Sequence, residues 1–506
     1  MIARRREDTP SRDHKGAGPI PLCACVGQAG SPMPLSFGKP LSETFYIGYV
    51  LWMTCPNILD SALLVEILHA AAPPAAIEQI ARQHGVKTRR GIYSLVVVVW
   101  LMIYQRLNSK RTLSSAVQFL AKHAALWRDQ PQVGKRIREG RISVRTGGYS
   151  QARRKMSTLV GCSVCDLSFA ELEVRMRERL PDVPHPIFVV DGTTLQLAHN
   201  RELLKAYPPG SNQHGNNHWA IMLLVAFHDV HTGLAARPSW GPMYGRKAVG
   251  EQQLAAEALG RLPAQALVLG DGDFGIFAFA YRVQQTGRSL LLRLTASRAH
   301  KVLGGVPLRC GRRRKVTWEP SAWDRQHHSD LPPEAVVKGW MLACAHPARQ
   351  GEVLYFFTTL DQKPKRILAV YKLRWNIETD LRSLKRTVGL YQMTSKSKAM
   401  VENEVLMAVA AYNVVRAVMY LAASAAGLTP RQLSFSSSQD AVLVAWPYLQ
   451  CAHTAAEFQD ELQRLLAVVV QSKLPTRSGR RSYPRATWGH GAKFPPRHSS
   501  GRKARQ

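Results

Sequence analysis

Acidic residues are scarce in this 506-residue sequence. It contains 35 aspartates and glutamates against 68 lysines and arginines, which gives a formal net charge of +33 at pH 7. Such an excess favours a polyanionic partner, because each phosphate that a cation neutralises releases condensed counterions. The composition therefore favours nucleic acid over an acidic small molecule. It does not separate DNA from RNA, and it leaves an anionic membrane surface as the weaker alternative.

Cysteines, long apolar runs and several catalytic motifs are also missing or few. Eight scattered cysteines cannot supply a disulfide framework for so long a chain, so a reducing cytosol is expected. Cys162 and Cys165 have no second pair at zinc-site spacing and are interpreted as ordinary thiols. Residues 92–104 are too short to span a bilayer and are predicted to be a buried helix. The absence of a P-loop and of a nucleophile elbow argues against ATP hydrolysis and serine hydrolysis.

Apolar periodicity divides the first half of the chain. Residues 1–43 are rich in proline, glycine, serine and charge and are predicted to be a disordered extension, with no secretory signal. Residues 44–180 show the apolar spacing of helices, interrupted by basic stretches. We interpret them as an all-helical DNA-binding region, with a merely solvated basic surface as the equal alternative.

Strands alternate with helices after residue 180. This rhythm in residues 181–297, together with helices in 361–425, predicts an α/β catalytic domain. The segment 298–360 is predicted to be a β-rich insertion. Residues 426–470 are predicted to form a C-terminal helical region, and 471–506 a basic disordered tail suited to lie along DNA.

Two aspartates follow predicted strands. Asp191 closes the apolar run of 186-PIFVVDGTTLQLA-198, which is interpreted as a strand, a turn and a second strand, and Asp271 follows the apolar run 266–270. Each is followed by glycine, and Asp-Gly is also an ordinary turn signal. Since both acids follow strands of a single α/β unit, where functional sites gather, we expect them to share a site.

A third acid lies in the basic helical stretch 371-YKLRWNIETDLRSLKR-386. At about 100° per residue, one narrow stripe of this helix holds four residues of interest. They are Tyr371, Arg374, Glu378 and Lys385. The alternative is an exposed helix in which Glu378 pairs with Arg374 or Arg382 four residues away. Asp380, on the opposite side, is predicted to be an ordinary surface acid.

Three such carboxylates have the chemistry of a two-metal site. Asp191, Asp271 and Glu378 would supply hard oxygen ligands to two Mg²⁺ or Mn²⁺ ions. Ions bound in this way activate a water or a 3′-hydroxyl in phosphodiester displacement. The neighbouring Arg374 and Lys385 are suited to hold the phosphates.

The spacing Tyr371-x2-Arg374-x3-Glu378-x6-Lys385 resembles the Y-R-E-K signature of DDE transposases from a large group of bacterial insertion-sequence elements. The stretches 190-VDGTT-194 and 268-VLGDGDFG-275 are similar to that family's two aspartate motifs, and 395–419 to its C-terminal helices. One departure is that Gly272 and Asp273 follow Asp271, where the family usually has a basic or polar residue and a glycine. Asp273 is therefore the alternative ligand.

The resemblance implies a fold and a set of residue roles. It implies an RNase H-like catalytic core in which Asp191, Asp271 and Glu378 coordinate two divalent ions. Three further residues would contact phosphates near the cleaved ends, namely Tyr371, Arg374 and Lys385. The β-rich insertion would offer a tryptophan that stacks on a flipped base, for which the candidates are Trp318, Trp323 and Trp340.

The resemblance also implies partners and a location. The protein would bind the terminal inverted repeats of its element and target DNA, act at least as a dimer on DNA, and need no cofactor beyond the metal. It would work in the bacterial cytoplasm at the nucleoid, without contact with a membrane. Two other functions remain open, an inactive transposase-derived DNA-binding protein and a metal-dependent nuclease that only hydrolyses.

Overall fold

The computed structural model describes residues 73–475, apart from 87–90, 109, 124–130, 142, 178–184, 213–214, 347–348, 392, 394 and 452–453. The extension predicted at 1–43, the helical pattern at 60–72 and most of the basic tail lie outside the described residues.

The described residues before the sheet form helices. Their bounds are α1 Pro74–Gln83, α2 Leu95–Leu107, α3 Leu113–Lys122, α4 Pro131–Arg138, α5 Gly147–Arg154 and α6 Thr158–Arg177. The prediction of a buried helix near 92–104 is confirmed, because most side chains of α2 are buried. Ser94 and Thr112 begin α2 and α3 by accepting hydrogen bonds from Val97 N and Ser115 N.

An eight-stranded sheet follows, which makes the fold mixed α/β. The elements are β1 Ile187–Leu197, α7 Arg201–Ala206, the two-residue strands β2 Ser211–Asn212 and β3 Gly215–Asn216, β4 Ala220–Asp229, β5 Ser239–Pro242, α8 Glu251–Ala258, β6 Leu267–Gly270, α9 Phe277–Gln285 and β7 Ser289–Leu294. The chain continues with α10 Ala296–Val302, β8 Arg313–Trp318, α11 Ala322–His327, β9 Val337–Ala345 and β10 Val353–Thr358.

The strand order is β5-β4-β1-β6-β7-β10-β9-β8. β1, β6 and β7 are parallel neighbours, and the remaining pairings are antiparallel. The strand-rich stretch 298–360 thus extends the main sheet, since β10 pairs directly with β7. β4 is buried at every position, as its unbroken apolar sequence predicts.

The expected turn at Asp191 is absent. A single strand runs from Ile187 to Leu197, and every residue from Phe188 to Leu197 pairs with β4. The prediction of two strands joined at Asp191-Gly192 was therefore wrong. Burial against β4 keeps the backbone extended through a dipeptide that on its own favours a turn.

Helices complete the chain after the sheet. They are α12 Pro364–Lys372, the 3₁₀ turn Leu373–Trp375, α13 Asn376–Arg382, the π-turn Ser383–Thr387, α14 Lys398–Ala425, the 3₁₀ turn Pro430–Gln432, α15 Phe435–Cys451 and α16 Ala455–Gln471. The 28-residue α14 is long and apolar enough to cross a membrane, but its apolar window is entirely buried inside the protein. It is therefore the central core helix of this fold.

The two faces of the sheet bury different helices. On the first face, Phe188, Val190 and Val268 share a core with the apolar side chains of α14. On the second face, alternate residues such as Val189 and Leu269 pack with the α12–α13 segment. The segment that carries Glu378 is thus fixed on one face of the sheet, opposite the core helix.

A buried ion cluster joins these layers at the end of α13. Asp380 is completely buried and accepts hydrogen bonds from Arg416 of α14 at 2.5 Å and from Arg431 at 2.8 Å through both carboxylate oxygens. Arg431 also donates to Val230 O, just beyond β4, at 2.9 Å. The prediction that Asp380 is a surface acid was wrong. The helical pattern of residues 371–386 gives no information about Arg416 and Arg431, which pack on Asp380 from later elements.

Asp380 is held in its charged form. Burial alone would raise the pKa of its carboxyl group, but Arg416 and Arg431 outweigh burial and hold that pKa below its usual value. The Tyr412 hydroxyl supports the cluster by accepting from Arg416 Nε at 2.8 Å, while it donates to Gly233 O at 2.9 Å. The cluster therefore also fixes the turn after β4.

Replacing Asp380 with Asn is expected to destabilise the protein by about 3–5 kcal/mol, because it leaves the buried Arg416 without a counter-charge. The measurement is urea unfolding at neutral pH. The contribution of the carboxylate is present above the ordinary aspartate pKa of about 3.9 and is lost as pH falls through the lower folded-state pKa. The gap between variant and unaltered protein should therefore shrink in acid.

Asp361→Asn is the matched control, because Asp361 also pairs with an arginine, Arg313, but its side chain is 66% exposed. That surface pair should contribute at most about 1 kcal/mol. An equal loss of stability in the two variants would contradict the special role of the buried cluster.

Candidate active site

Strand alternation directs two aspartates to the second face of the sheet. Val189 and Leu269 are paired in the parallel register of β1 and β6, and both pack on this face. Asp191 and Asp271 each lie two residues further along and therefore have the same orientation. Their pairing register makes them neighbours at the point where the two strands separate. Asp271 follows the end of its strand β6, as expected. Asp191 does not, because β1 continues past it to Leu197.

The turn after β6 holds Asp271 in place. Asp271 Oδ1 accepts from Asp273 N at 3.0 Å, and the Arg298 guanidinium donates to Gly272 O at 2.9 Å. A Cβ on Gly275 would collide with Arg293 O, so only glycine permits this turn to pack against the backbone of β7. The side chain of Asp273 is exposed on the outside of the turn.

Glu378 approaches from the helical segment above this face. Its side chain is 47% exposed, and its Oε1 lies 4.0 Å from a guanidinium nitrogen of Arg374. The segment is not the regular helix that the stripe assumed, because a 3₁₀ turn precedes α13 and a π-turn follows it. Lys385 lies within this π-turn, and its ammonium group donates to Thr193 Oγ1 of β1 at 2.8 Å. Tertiary contact, rather than a constant helical period, brings Lys385 to the site.

Electrostatics link the three acids. Burial is the main cause that raises the pKa of Asp191 to about 6. The negative charges of Asp271 and Glu378 contribute to this rise, while the hydrogen bond from Gly192 N–H and the positive charge of Arg374 oppose it. These four charged side chains, Asp191, Asp271, Glu378 and Arg374, therefore lie within interaction range. The sequence predicted each of them as a site residue, and the fold brings them together.

Tyr371 lies on the buried side of the same group. Burial raises the pKa of its phenol, Asp271 adds to this rise, and Arg374 and Arg293 oppose it. Sequence reasoning missed Arg293, although an arginine in the apolar strand 289-SLLLRL-294 was a visible irregularity. Arg374 also lies over the ring of Trp375 at 5.1 Å, and the indole of Trp375 is 61% exposed.

Glu251 is a fourth acid, which sequence reasoning did not identify. A Cβ on Gly192 would collide with the Glu251 carboxyl group, so glycine beside Asp191 lets this carboxylate approach the backbone of β1. Burial raises the pKa of Glu251, and Asp191, Asp273 and Asp271 raise it further. Glu251 begins α8, where an acid is expected for helix stability alone, so no sequence signal separated the two roles.

The three candidate tryptophans differ in exposure. Trp318 is buried and packs edge-on against Phe277 and Phe357, which makes it a core residue. Trp340 lies under the Arg313 guanidinium at 4.3 Å. Trp323 is 57% exposed and stacks on His327. Of the three, Trp323 offers the most free aromatic surface.

The donor set has the chemistry of a site for hard divalent cations. Burial and the charges of Asp271 and Glu378 both disfavour the ionised form of Asp191, and a bound cation would offset both effects. Among the residues that the structure describes, no group of three or more His, Cys, Asp and Glu side chains is already closed around one point.

Comparison with known proteins relates the chain to transposases. Residues 182–414 match the family model described as the transposase DDE domain. The chain is also similar to the transposase InsG for insertion sequence element IS4 of Escherichia coli (strain K12), with 34% identity over 155 residues, which cover 29% of this chain and 34% of that protein. The aligned part of the chain thus spans about one third of the length of this curated relative.

Replacing Asp191 with Asn is expected to stabilise the metal-free protein. The unfolded carboxyl group loses its proton near pH 3.9, whereas the folded one keeps it to about pH 6. The charge therefore costs the folded state progressively more as pH rises between these values, and the full cost applies above pH 6. In urea unfolding with EDTA at neutral pH, the gain should be about 1–3 kcal/mol, and it should vanish near pH 4.

Asp273→Asn is the control for this measurement, since it alters an exposed acid of the neighbouring turn and should change stability by less than about 0.5 kcal/mol. A lower stability of Asp191→Asn in EDTA at neutral pH would contradict the cost of the buried Asp191 charge.

Proposed function

We propose that this protein, whose residues 182–414 match the transposase DDE domain family, is a transposase of a bacterial insertion sequence. It would cleave DNA at the ends of its element and transfer the strands by phosphodiester displacement. The observation that carries the proposal is that Asp271, Glu378 and Arg374 lie within electrostatic range of Asp191 inside the matched residues. An inactive DNA-binding descendant would have no need to keep these three acids crowded together.

The catalytic core of the proposal is RNase H-like. In the half-sheet β5-β4-β1-β6-β7, three antiparallel strands are followed by two that run parallel to β1. This order supports the proposal because it brings Asp191 and Asp271 to adjacent strands, where sites of open α/β sheets gather. The strands of 298–360 would form the β-rich insertion between the second aspartate and the glutamate.

Asp191, Asp271 and Glu378 would hold two divalent ions, Mg²⁺ or Mn²⁺. Bound there, such ions lower the pKa of an attacking water or 3′-hydroxyl and stabilise the leaving oxygen. Asp271 is preferred to Asp273 as a ligand, because the charge of Asp271 raises the pKa of Asp191, whereas the Asp273 side chain faces solvent. Arg374 spans the acids and the expected phosphates, since its guanidinium lies near Glu378 and is 15% exposed.

The other residues of the motif would position DNA. Lys385 is anchored to Thr193 on the strand that carries Asp191, so a phosphate held by Lys385 would lie at a fixed place relative to that acid. Tyr371 packs beneath Arg374, with the guanidinium 5.9 Å from its ring, and would orient this arginine toward a phosphate. Trp323 is the proposed base-stacking residue of the insertion, on account of its exposure.

The remaining parts of the proposal concern assembly and place. The N-terminal helices would bind the terminal inverted repeats, and synapsis of two ends would require at least a dimer on DNA. The work site would be the bacterial cytoplasm at the nucleoid. Burial of the apolar α14 inside the protein supports a protein that acts on DNA without a membrane anchor.

Glu378→Gln is expected to abolish Mg²⁺-dependent cleavage of the element's ends while DNA binding is retained, with a loss of about 100-fold or more in cleavage rate. The physical reason is the removal of a charged ligand without a change in shape. End-specific nicking is followed on gels, and DNA binding by fluorescence anisotropy.

Asp271→Asn and Asp273→Asn form a matched pair in the same assay. Asp271→Asn should lose cleavage, and Asp273→Asn should keep most of it. Cleavage that survives in Glu378→Gln would refute the mechanism, and the reverse order of the two aspartate variants would transfer the ligand role to Asp273.

A further inference from the structure

A positively charged cavity lies between the N-terminal helices and the segment before α14. Its volume is about 510 Å³, and its walls come from α2, α5, the loop before α3 and residues 395–400. The charged residues that line it are Arg106, Lys110, Arg111, Arg153, Arg154, Lys396 and one acid, Glu404. The lining of the cavity therefore carries six cationic side chains and one carboxylate.

The floor of the cavity is short of negative charge. Glu404 accepts from Arg153 at 2.7 Å and pairs with Arg106 at 3.0 Å, so one buried carboxylate serves two buried guanidinium groups. Arg153 is only 7% exposed, and its Nε has no hydrogen-bond partner among the described residues. A buried donor without a partner is costly, and an acceptor in the cavity would remove that cost.

The rim of the cavity offers exposed cations. Lys110, Arg154 and Lys396 are exposed and form no ion pair within the described part of the chain. Arg111 also lines the cavity, next to the buried Arg106. Lys110, Arg154 and Lys396 thus bring three positive charges together without an ion-paired acid in the described part of the chain, which is the electrostatic pattern of an anion site.

Arg111 has an unusual backbone that places it there. Its φ is 50°, and no other non-glycine residue in the described part of the chain has a positive φ. Gln105 fixes this conformation by donating to Arg111 O at 3.1 Å. Strained backbone of this kind is kept where the surrounding structure requires it, and functional sites are common among such places.

We propose that this cavity binds the phosphate groups of a DNA backbone, with Lys110, Arg154 and Lys396 as the contacting cations and Arg153 as the buried donor. The proposal rests on the proposed function and specifies a DNA-binding surface for it. Phosphodiesters fit these residues because arginine and lysine supply charge-assisted hydrogen bonds to phosphate oxygens.

The cavity is joined physically to the catalytic segment. Arg111 donates to Thr387 O at 2.6 Å, two residues beyond Lys385 in the π-turn. Asn200, three residues beyond the end of β1, donates to Lys396 O at 2.6 Å. A DNA strand held in the cavity would therefore be positioned relative to both elements that carry the candidate active site.

The test is the triple variant Lys110→Glu, Arg154→Glu, Lys396→Glu, which alters only exposed side chains. Binding of duplex DNA from the element's ends is measured by anisotropy over a range of salt concentrations. The variant should bind roughly tenfold or more weakly at low salt. Its plot of log K against log salt should flatten by about 0.9 for each phosphate that the variant no longer neutralises, up to about 2.7.

A charge-matched control separates a local site from overall charge. Lys301→Glu, Arg312→Glu, Lys338→Glu changes three exposed cations of the strand-rich segment by the same amount. Thermal melting checks that both variants are folded. A smaller effect in the control supports the cavity, and an equal effect in both variants overturns it, because total charge then explains the weaker binding.

Failure of the cavity proposal can be distinguished from failure of the proposed function. If the unaltered protein neither binds nor cuts DNA, the proposed function itself fails and the cavity proposal fails with it. If the unaltered protein binds and cuts DNA, and the cavity variant keeps its affinity and salt slope, only the cavity proposal is overturned. Glu378→Gln, which should still bind DNA, reports on catalysis independently.

Discussion

The buried pairing of Asp380 with Arg416 and Arg431 is the constraint on which the arrangement of the site depends. It fixes α13 against α14 and, through Arg431, against the end of β4, which is remote from α13 in the sequence. Glu378 lies two residues before Asp380 on the same short helix, so the position of the exposed acid follows from the anchoring of the buried one. A fully satisfied buried ion pair of this kind specifies one packing and excludes others, because any alternative would leave a charge buried alone.

The opposite situation holds at the acids on the sheet. Asp271 and Glu378 repel the charge of Asp191, and Asp191 and Asp271 repel that of Glu251. Elements that are anchored elsewhere hold these acids close together despite the repulsion. The favourable ion pairs of the Asp380 cluster therefore offset the unfavourable free energy of holding these carboxylates together. Such a trade-off is common where a protein holds charges ready for a ligand. Gly192 and Gly275 contribute through the absence of a Cβ, which lets a carboxylate and a strand backbone approach closely.

The core helix α14 joins the two halves of the protein by its buried polar residues. Its first half binds the N-terminal helices, through Glu404 to Arg153 and through Asn403 to Met156 O. Its second half binds the turn after β4, where Asn413 exchanges two hydrogen bonds with Ala235. Asn413 belongs to the stretch 395–419 that resembles the transposase C-terminal helices, and it thus has a structural role. The charged cavity lies at the junction that the first half of α14 creates.

The sequence by itself determined the α/β class, the buried strands and the basic character, and it predicted three acids as site residues, because apolar periodicity and residue spacing are local properties. It predicted a turn at Asp191 and an exposed Asp380, and both predictions failed where distant segments intervened. Pairing with β4 extends the strand through Asp191, and two arginines from beyond residue 410 bury Asp380. Glu251 and the cavity cations had no local signal that marked them as site residues, and the one signal for Arg293, a charge within an apolar strand, did not say which site it belonged to. Only tertiary structure decides such positions, since they are defined by contacts between residues remote in the chain.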